Sequence, residues 1–92
     1  MGLKFTWDEH KAATNLRKHG VDFEEAGTIF EDVHSITVLD ELHSFDETRY
    51  FTIGRSARGR LLSVAHVEDD EKIRIISARP ATRAEARKYD EP

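Results

Sequence analysis

The chain has 92 residues, 38% apolar and 35% charged, with no cysteine and a net charge of −4. That size suits a single domain over residues 1–92 with a thin core, and the lack of cysteine excludes disulfides and thiolate metal sites. No apolar run reaches bilayer length and Met1 to Asp8 lacks the apolar core of a signal peptide, so a cytoplasmic protein without membrane contact is expected.

Leu3 to Trp7 alternates, which predicts a short first strand with Phe5 and Trp7 on one face. Asp8 can cap a helix over Glu9 to His19, which Gly20 ends in a left-handed conformation. Asp22 restarts a helix with Glu25 in the capping-box position and Phe23, Ala26 and Phe30 on one face, ending near Asp32. Ser35 to Leu39 reads as a strand and Asp40 to Thr48 as an exposed acidic loop. At Arg49 the charge balance turns. Residues 1–48 carry 4 Lys and Arg against 11 Asp and Glu, whereas residues 49–92 carry 10 against 7, so an anionic substrate is expected to meet the second half, and an anionic partner to cover it. Strands over Arg49 to Ser56, Arg60 to Glu68 and Lys72 to Arg79 are joined by short turns at Ala57 to Gly59 and Asp69 to Glu71, hence an antiparallel meander. Pro80 closes the last strand, and Thr82 with Glu85 caps a final helix through Tyr89.

The sum is an α+β fold, with two N-terminal helices packed on one face of an antiparallel sheet and a C-terminal helix. Alternation assigns Phe51, Ile53, Leu62, Val64, Ile73 and Ile75 to the helix-covered face. Tyr50, Thr52, Ser63, Arg74 and Ile76 then form a mixed, partly cationic face suited to a substrate groove.

Lys18-His19-Gly20 sets an imidazole beside an ammonium at a helix end, where it can act on a phosphate; the helix dipole alone also favours cations there, and on spacing the structural use weighs more. Lys11 and Asn15 lie one turn apart and extend this polar row, which reads equally as a solvated face. Arg79, at the mouth of the last strand, is placed to grip a phosphate or to pair with Glu85, and the two uses weigh evenly. Arg49 and His66 are expected as cross-strand neighbours, although a lone strand histidine more often packs, and Glu47 can pair with Arg49. His34 and His43 have acidic neighbours but no zinc-type spacing, so no metal is expected. Gly54 and Gly59 lack the phosphate-cradling pattern, and no Ser, His, Asp set can be assembled.

Several strings, in order over nearly the whole chain, resemble the BrnT family of bacterial toxins. They are Trp7-Asp8 with Lys11 and Asn15, Lys18-His19-Gly20-Val21 with Phe23 and Ala26, and Glu47, Arg49 and Ile53-Gly54. Arg74-Ile75-Ile76-Ser77-Ala78-Arg79, Ala81-Thr82, Glu85 and Tyr89 complete them, with a departure at Pro80. The resemblance implies a RelE-like ribonuclease that cuts cellular RNA and slows growth, needs no cofactor, and is neutralised by an antitoxin of the BrnA type. It further implies two toxins on an antitoxin dimer, with operator DNA touched only through the antitoxin. The expected chemistry is attack of the RNA 2'-hydroxyl on the adjacent phosphate without metal. Arg79 and Arg49 are then expected to stabilise the phosphate, His19 or Glu85 to carry protons, and Lys18, Tyr89, Arg74 and Lys11 to bind RNA. The rival is a non-enzymatic interaction module with a cationic sheet face. A DNA-binding repressor is disfavoured, because no basic recognition helix is evident.

Overall fold

The computed structural model describes residues 3–91; Met1, Gly2 and Pro92, at the ends of the expected domain, lie outside the described residues. The order is β1 (Lys4–Thr6), α1 (Glu9–His19), α2 (Phe23–Thr28), a 3-10 turn (Ile29–Glu31), β2 (Ile36–Leu39), a second 3-10 turn (Glu41–His43), β3 (Tyr50–Arg55), β4 (Leu61–Asp69), β5 (Lys72–Pro80) and α3 (Arg83–Asp90). Asp8 caps α1 by accepting from the Lys11 N–H at 3.0 Å. Gly20, at φ 69°, ends it by donating its N–H to the Leu16 carbonyl.

The second helix is shorter than its apolar spacing predicts. The α-helix stops at Thr28, whose hydroxyl donates to the Glu25 carbonyl at 2.7 Å and accepts from the Ala57 N–H at 2.8 Å. The chain tightens there into the 3-10 turn, an ordinary ending where a hydroxyl competes for the backbone. Only half of the expected capping box forms. Asp22 accepts from the Glu25 N–H, but the Glu25 carboxylate, 1% exposed, turns inward to Arg60, Ser56 and Arg58. This ion group ties α2 to the β3–β4 turn.

The five strands run in the order β1-β5-β4-β3-β2. Strands β2 to β5 are antiparallel to their neighbours as expected, but β1 pairs parallel to β5, so the sheet is mixed rather than wholly antiparallel. Register also corrects the faces. Thr52 lies opposite Val64 and Gly54 opposite Leu62, so Phe51 and Ile53 share their face with Ser63 and Ala65, and Thr52 belongs to the core face. The turn closes where it is expected, Ser56 donating its N–H to the Arg60 carbonyl at 2.7 Å, and that register sets odd positions of β3 against odd positions of β4, whereas sorting by apolar side chains sets odd against even.

On the core face Val21, Phe23, Ala26 and Ile29 pack on Leu62, Val64, Ile73, Ile75 and Ala78, with Phe5, Trp7 and Phe30 at the margin. Gly54 admits this approach, since a Cβ there would meet Ile29 and Ser35 at 3.1 Å. The helix α3 contacts β3 and places Glu85 against Ser63 on the second face. A β-bulge between Ala65 and His66 pairs Ser77 with Ala65 and Ile75 with His66, leaving Ile76 without a partner. Ala78, Ile75 and Ile73 thereby all face the core, while Arg74 and Arg79 both face the other way.

Candidate functional site

The second face carries two groups of charge at opposite ends of β5. Arg74 lies opposite Val67, and extending the β3–β4 register by one residue sets Arg49 on the other side of Val67. The two arginines thus flank one residue, with backbones about 10 Å apart. Above them Glu47, from the loop before β3, accepts from Arg74 Nη2 at 2.6 Å through both oxygens. Its pKa is lowered, first by this hydrogen bond and then by the charges of Arg74, Arg49 and Lys11, against a smaller opposing effect of burial. The charges of Lys11, Arg49 and Arg74 all act on this carboxylate, and Arg74 alone is bonded to it. The Nε of Arg49 is buried and has no partner among the described residues.

Lys11 belongs to α1, which lies along the half of β5 that β1 does not cover. The reason is Asn15, buried on the inner side of α1, whose side-chain amide donates to the Ala78 carbonyl at 2.8 Å and accepts from the Ala78 N–H at 3.1 Å. A third bond, to the Val21 carbonyl, holds the chain just past the helix. Asn15 thus behaves as a one-residue strand on the edge of β5. The docking opens a cleft of about 370 Å³ lined by Lys11, Lys18, His19, Asn15, Ile76 and Ser77. Lys11, Lys18 and His19 line that cleft, whereas Arg49 and Arg74 flank Val67; the Gly20 carbonyl, next to His19, accepts from Arg60 Nη2, which sets that end of α1 towards the start of β4 and the Arg79 end of β5.

Arg79 and Glu85 form the other group, and they hold each other. Arg79 Nη1 and Nη2 donate to Glu85 Oε1 and Oε2 at 2.7 and 3.0 Å. Glu85 also accepts from the Thr82 N–H at 2.8 Å in the expected capping box and from Ser63 Oγ at 3.3 Å. Burial alone would raise the Glu85 pKa, but the bonds from Arg79 and Thr82 outweigh it and lower it to about 2. Tyr89 stands apart, its hydroxyl donating to Asp32 Oδ2 at 2.6 Å and its ring under the Arg55 guanidinium at 5.7 Å.

His66 pairs with Tyr50, not with Arg49, and it is fully buried on the core face. Its ring meets Phe30 edge-on at 4.9 Å, Nε2 hydrogen-bonds the Thr52 hydroxyl at 2.7 Å, and desolvation lowers its pKa to about 4. It is a packed, neutral histidine. Glu47 pairs with Arg74 and not Arg49, and it is the hub that sequence reasoning missed. Asn15 was legible only as part of a polar row, although an asparagine in mid-helix is a poor helix former and thus a signal of a bond made elsewhere. Among the described residues no group of three His, Asp or Glu side chains gathers to hold a metal ion, and no helix is long and apolar enough to cross a membrane.

Fold and site define a small α+β protein with arginines on the open face of its sheet. The family model of the ribonuclease toxin BrnT of type II toxin-antitoxin systems matches residues 7–85, and the chain belongs to that family. The crystal structure of the Brucella abortus ribonuclease toxin BrnT has a similar fold, with a TM-score of 0.68 at 24% identity over 89% of this chain and 100% of that one. Comparison with curated protein sequences gives no match.

Proposed function

We propose that the chain is a metal-independent endoribonuclease that cleaves cellular RNA in the cytoplasm, inhibiting translation and growth. The observation that carries this reading is the placing of Arg49 and Arg74 on either side of Val67 on the open face, with Arg74 bonded to Glu47 and the charge of Lys11 acting on the same carboxylate. Such a pair of arginines, with the Arg49 Nε already desolvated, suits a phosphate whose charge grows during reaction. In the step proposed, the 2'-oxygen bonds to phosphorus, its proton passes to a base, the bond to the 5'-oxygen breaks, and that oxygen takes a proton. Cyclic phosphate and 5'-hydroxyl ends result.

His19, at the margin of the cleft, is the proton carrier in this scheme, with Lys18 positioning RNA. Glu85 fits that role less well, because its strong bonds to Arg79 and Thr82 keep it ionised. Arg79 keeps its Nε and outward edge for a flanking phosphate, and Tyr89 steadies α3. A BrnA-type antitoxin neutralises the enzyme in an assembly of two toxins on an antitoxin dimer, with operator DNA bound only by the antitoxin.

The test uses the purified chain, freed of antitoxin, on RNA in the presence of chelator. Cleavage with cyclic phosphate ends is expected, lost in His19→Gln and in Arg49→Ala. Activity abolished by chelator and restored by one metal ion overturns the scheme. An inert chain that still binds RNA or the antitoxin favours the interaction module.

A further inference from the structure

The two edges of the sheet are finished differently. At one edge β1 covers β5 from Lys72 to Arg74, and beyond it Asn15 satisfies Ala78. At the other edge β2 pairs with β3 only, and no backbone bond among the described residues meets its outer side. The bond from the Asp40 N–H to the Arg49 carbonyl, 2.8 Å, fixes the phase of that ladder. Val38 and Ile36 then face β3 with their backbone groups, so Thr37 and Leu39 direct N–H and C=O outward.

Exposed edges are ordinarily blunted by lysine, proline or a bulge, and Ile36–Leu39 reads Ile-Thr-Val-Leu with none of these. Apolar side chains cluster around it. Val38 and Leu39 are 36% and 50% exposed, and Leu42 and Phe45, just beyond, 78% and 88%. Charge narrows the choice of occupant. Residues 19–48 hold 9 Asp and Glu and not one Lys or Arg, and Asp40, Glu41 and Asp46 adjoin the strand itself. A second copy of the chain would bring the same acids to the same edge, against like-charge repulsion.

We propose that β2 is a strand-addition site for an extended basic segment of the antitoxin, with apolar residues at alternate positions to meet Leu39, Leu42 and Phe45. Backbone pairing supplies affinity and the alternate side chains supply choice of partner. The inference rests on the proposed function only for the identity of the partner. It adds a contact on the acidic half, away from the cationic face that the charge division assigns to an anionic ligand.

Amide hydrogen exchange on the chain alone and in complex with its co-expressed antitoxin tests the pairing. The Thr37 and Leu39 amides are expected to exchange freely in the chain alone and to become protected at least tenfold in the complex, while Val38 is protected in both. Leu39→Pro removes an outward N–H without losing a bond to β3, and it is expected to weaken antitoxin binding at least tenfold. Phe45→Lys leaves the backbone intact and is expected to weaken it severalfold at an unchanged melting temperature, so the test survives if the proline variant fails to fold. A complex in which Thr37 and Leu39 stay unprotected overturns the strand-addition site and leaves the toxin reading standing. Failure to form any complex overturns both. Protection that grows with concentration in the chain alone assigns the edge to a second copy and also overturns it.

Discussion

The two ends of the open sheet face hold similar side chains in opposite states. At the Arg79 end, one arginine meets one carboxylate through two parallel bonds, and a capping box and a serine hydroxyl fix that carboxylate further. At the Arg74 end, one carboxylate is bonded to Arg74 and feels the charges of Arg49 and Lys11, which have no bond to it. A matched pair stores its charge in structure, and an unmatched group leaves charge for a ligand. Counting arginines in the sequence cannot separate these cases, because the partners come from other elements.

The largest effect that would break this contrast is on catalysis. Arg49→Ala and Arg74→Ala are each expected to cost about 2–4 kcal/mol of transition-state stabilisation, read as kcat/KM on RNA. Their melting temperatures are expected to change little, since exposed pairs such as Arg74 with Glu47 add little stability. Retained cleavage in both variants would move the reaction to the other end of β5.

Acid separates the matched pair from the core. His66 is held neutral with a pKa of about 4, below its unfolded value, so the unfolded state binds the extra proton first. Stability is therefore complete above pH 6.5 and falls as pH drops from 6.5 to 4, by about 3 kcal/mol in all. The depressed Glu85 contributes stability that is present above 4.5 and is lost only as pH falls from 4.5 towards 2. Denaturant titrations across pH should resolve two steps. His66→Gln is expected to remove the upper one alone.

A smaller effect tests the fork itself. Arg79→Lys cannot reproduce two parallel bonds to Glu85 and is expected to cost about 1–2 kcal/mol of stability, or about 4–8 °C per kcal/mol at this size. KM for RNA should rise severalfold with kcat kept. A fall in kcat at an unchanged melting temperature would return Arg79 to the reacting phosphate. The smallest effect is the reverse in sign: Glu47→Gln removes the carboxylate that pairs with Arg74 and is expected to tighten RNA binding severalfold, measured at fixed salt.

Much of this architecture was legible in the residues because it is set locally. The caps Asp8 and Gly20, the Thr82 and Glu85 box and the meander follow from side chains a few positions apart. What escaped is set at a distance. The parallel pairing of β1 joins the first and last strands, the β3 faces depend on one turn's register, and Glu25 breaks its capping pattern for Arg60. Of the expected site residues, Lys11, Lys18 and His19 line one cleft and Arg49 and Arg74 flank Val67, whereas Tyr89 goes to Asp32. The even choice at Arg79 between phosphate and Glu85 meets an ion pair in the unliganded chain.

Ile76, the residue of β5 without a partner, bears on how such a chain can change over generations. Arg74 and Arg79 are separated by an odd number of steps and still face the same way because one position between them is skipped in the ladder. A point mutation along this stretch alters a single side chain. Deleting the codon for Ile76 would remove the bulge and restore strict alternation, with Ile73, Ile75 and Ala78 still inward and Arg74 and Arg79 still outward. Drift by substitution and by loss of this one codon are both open to the strand, because the bulge holds a residue that the faces do not need.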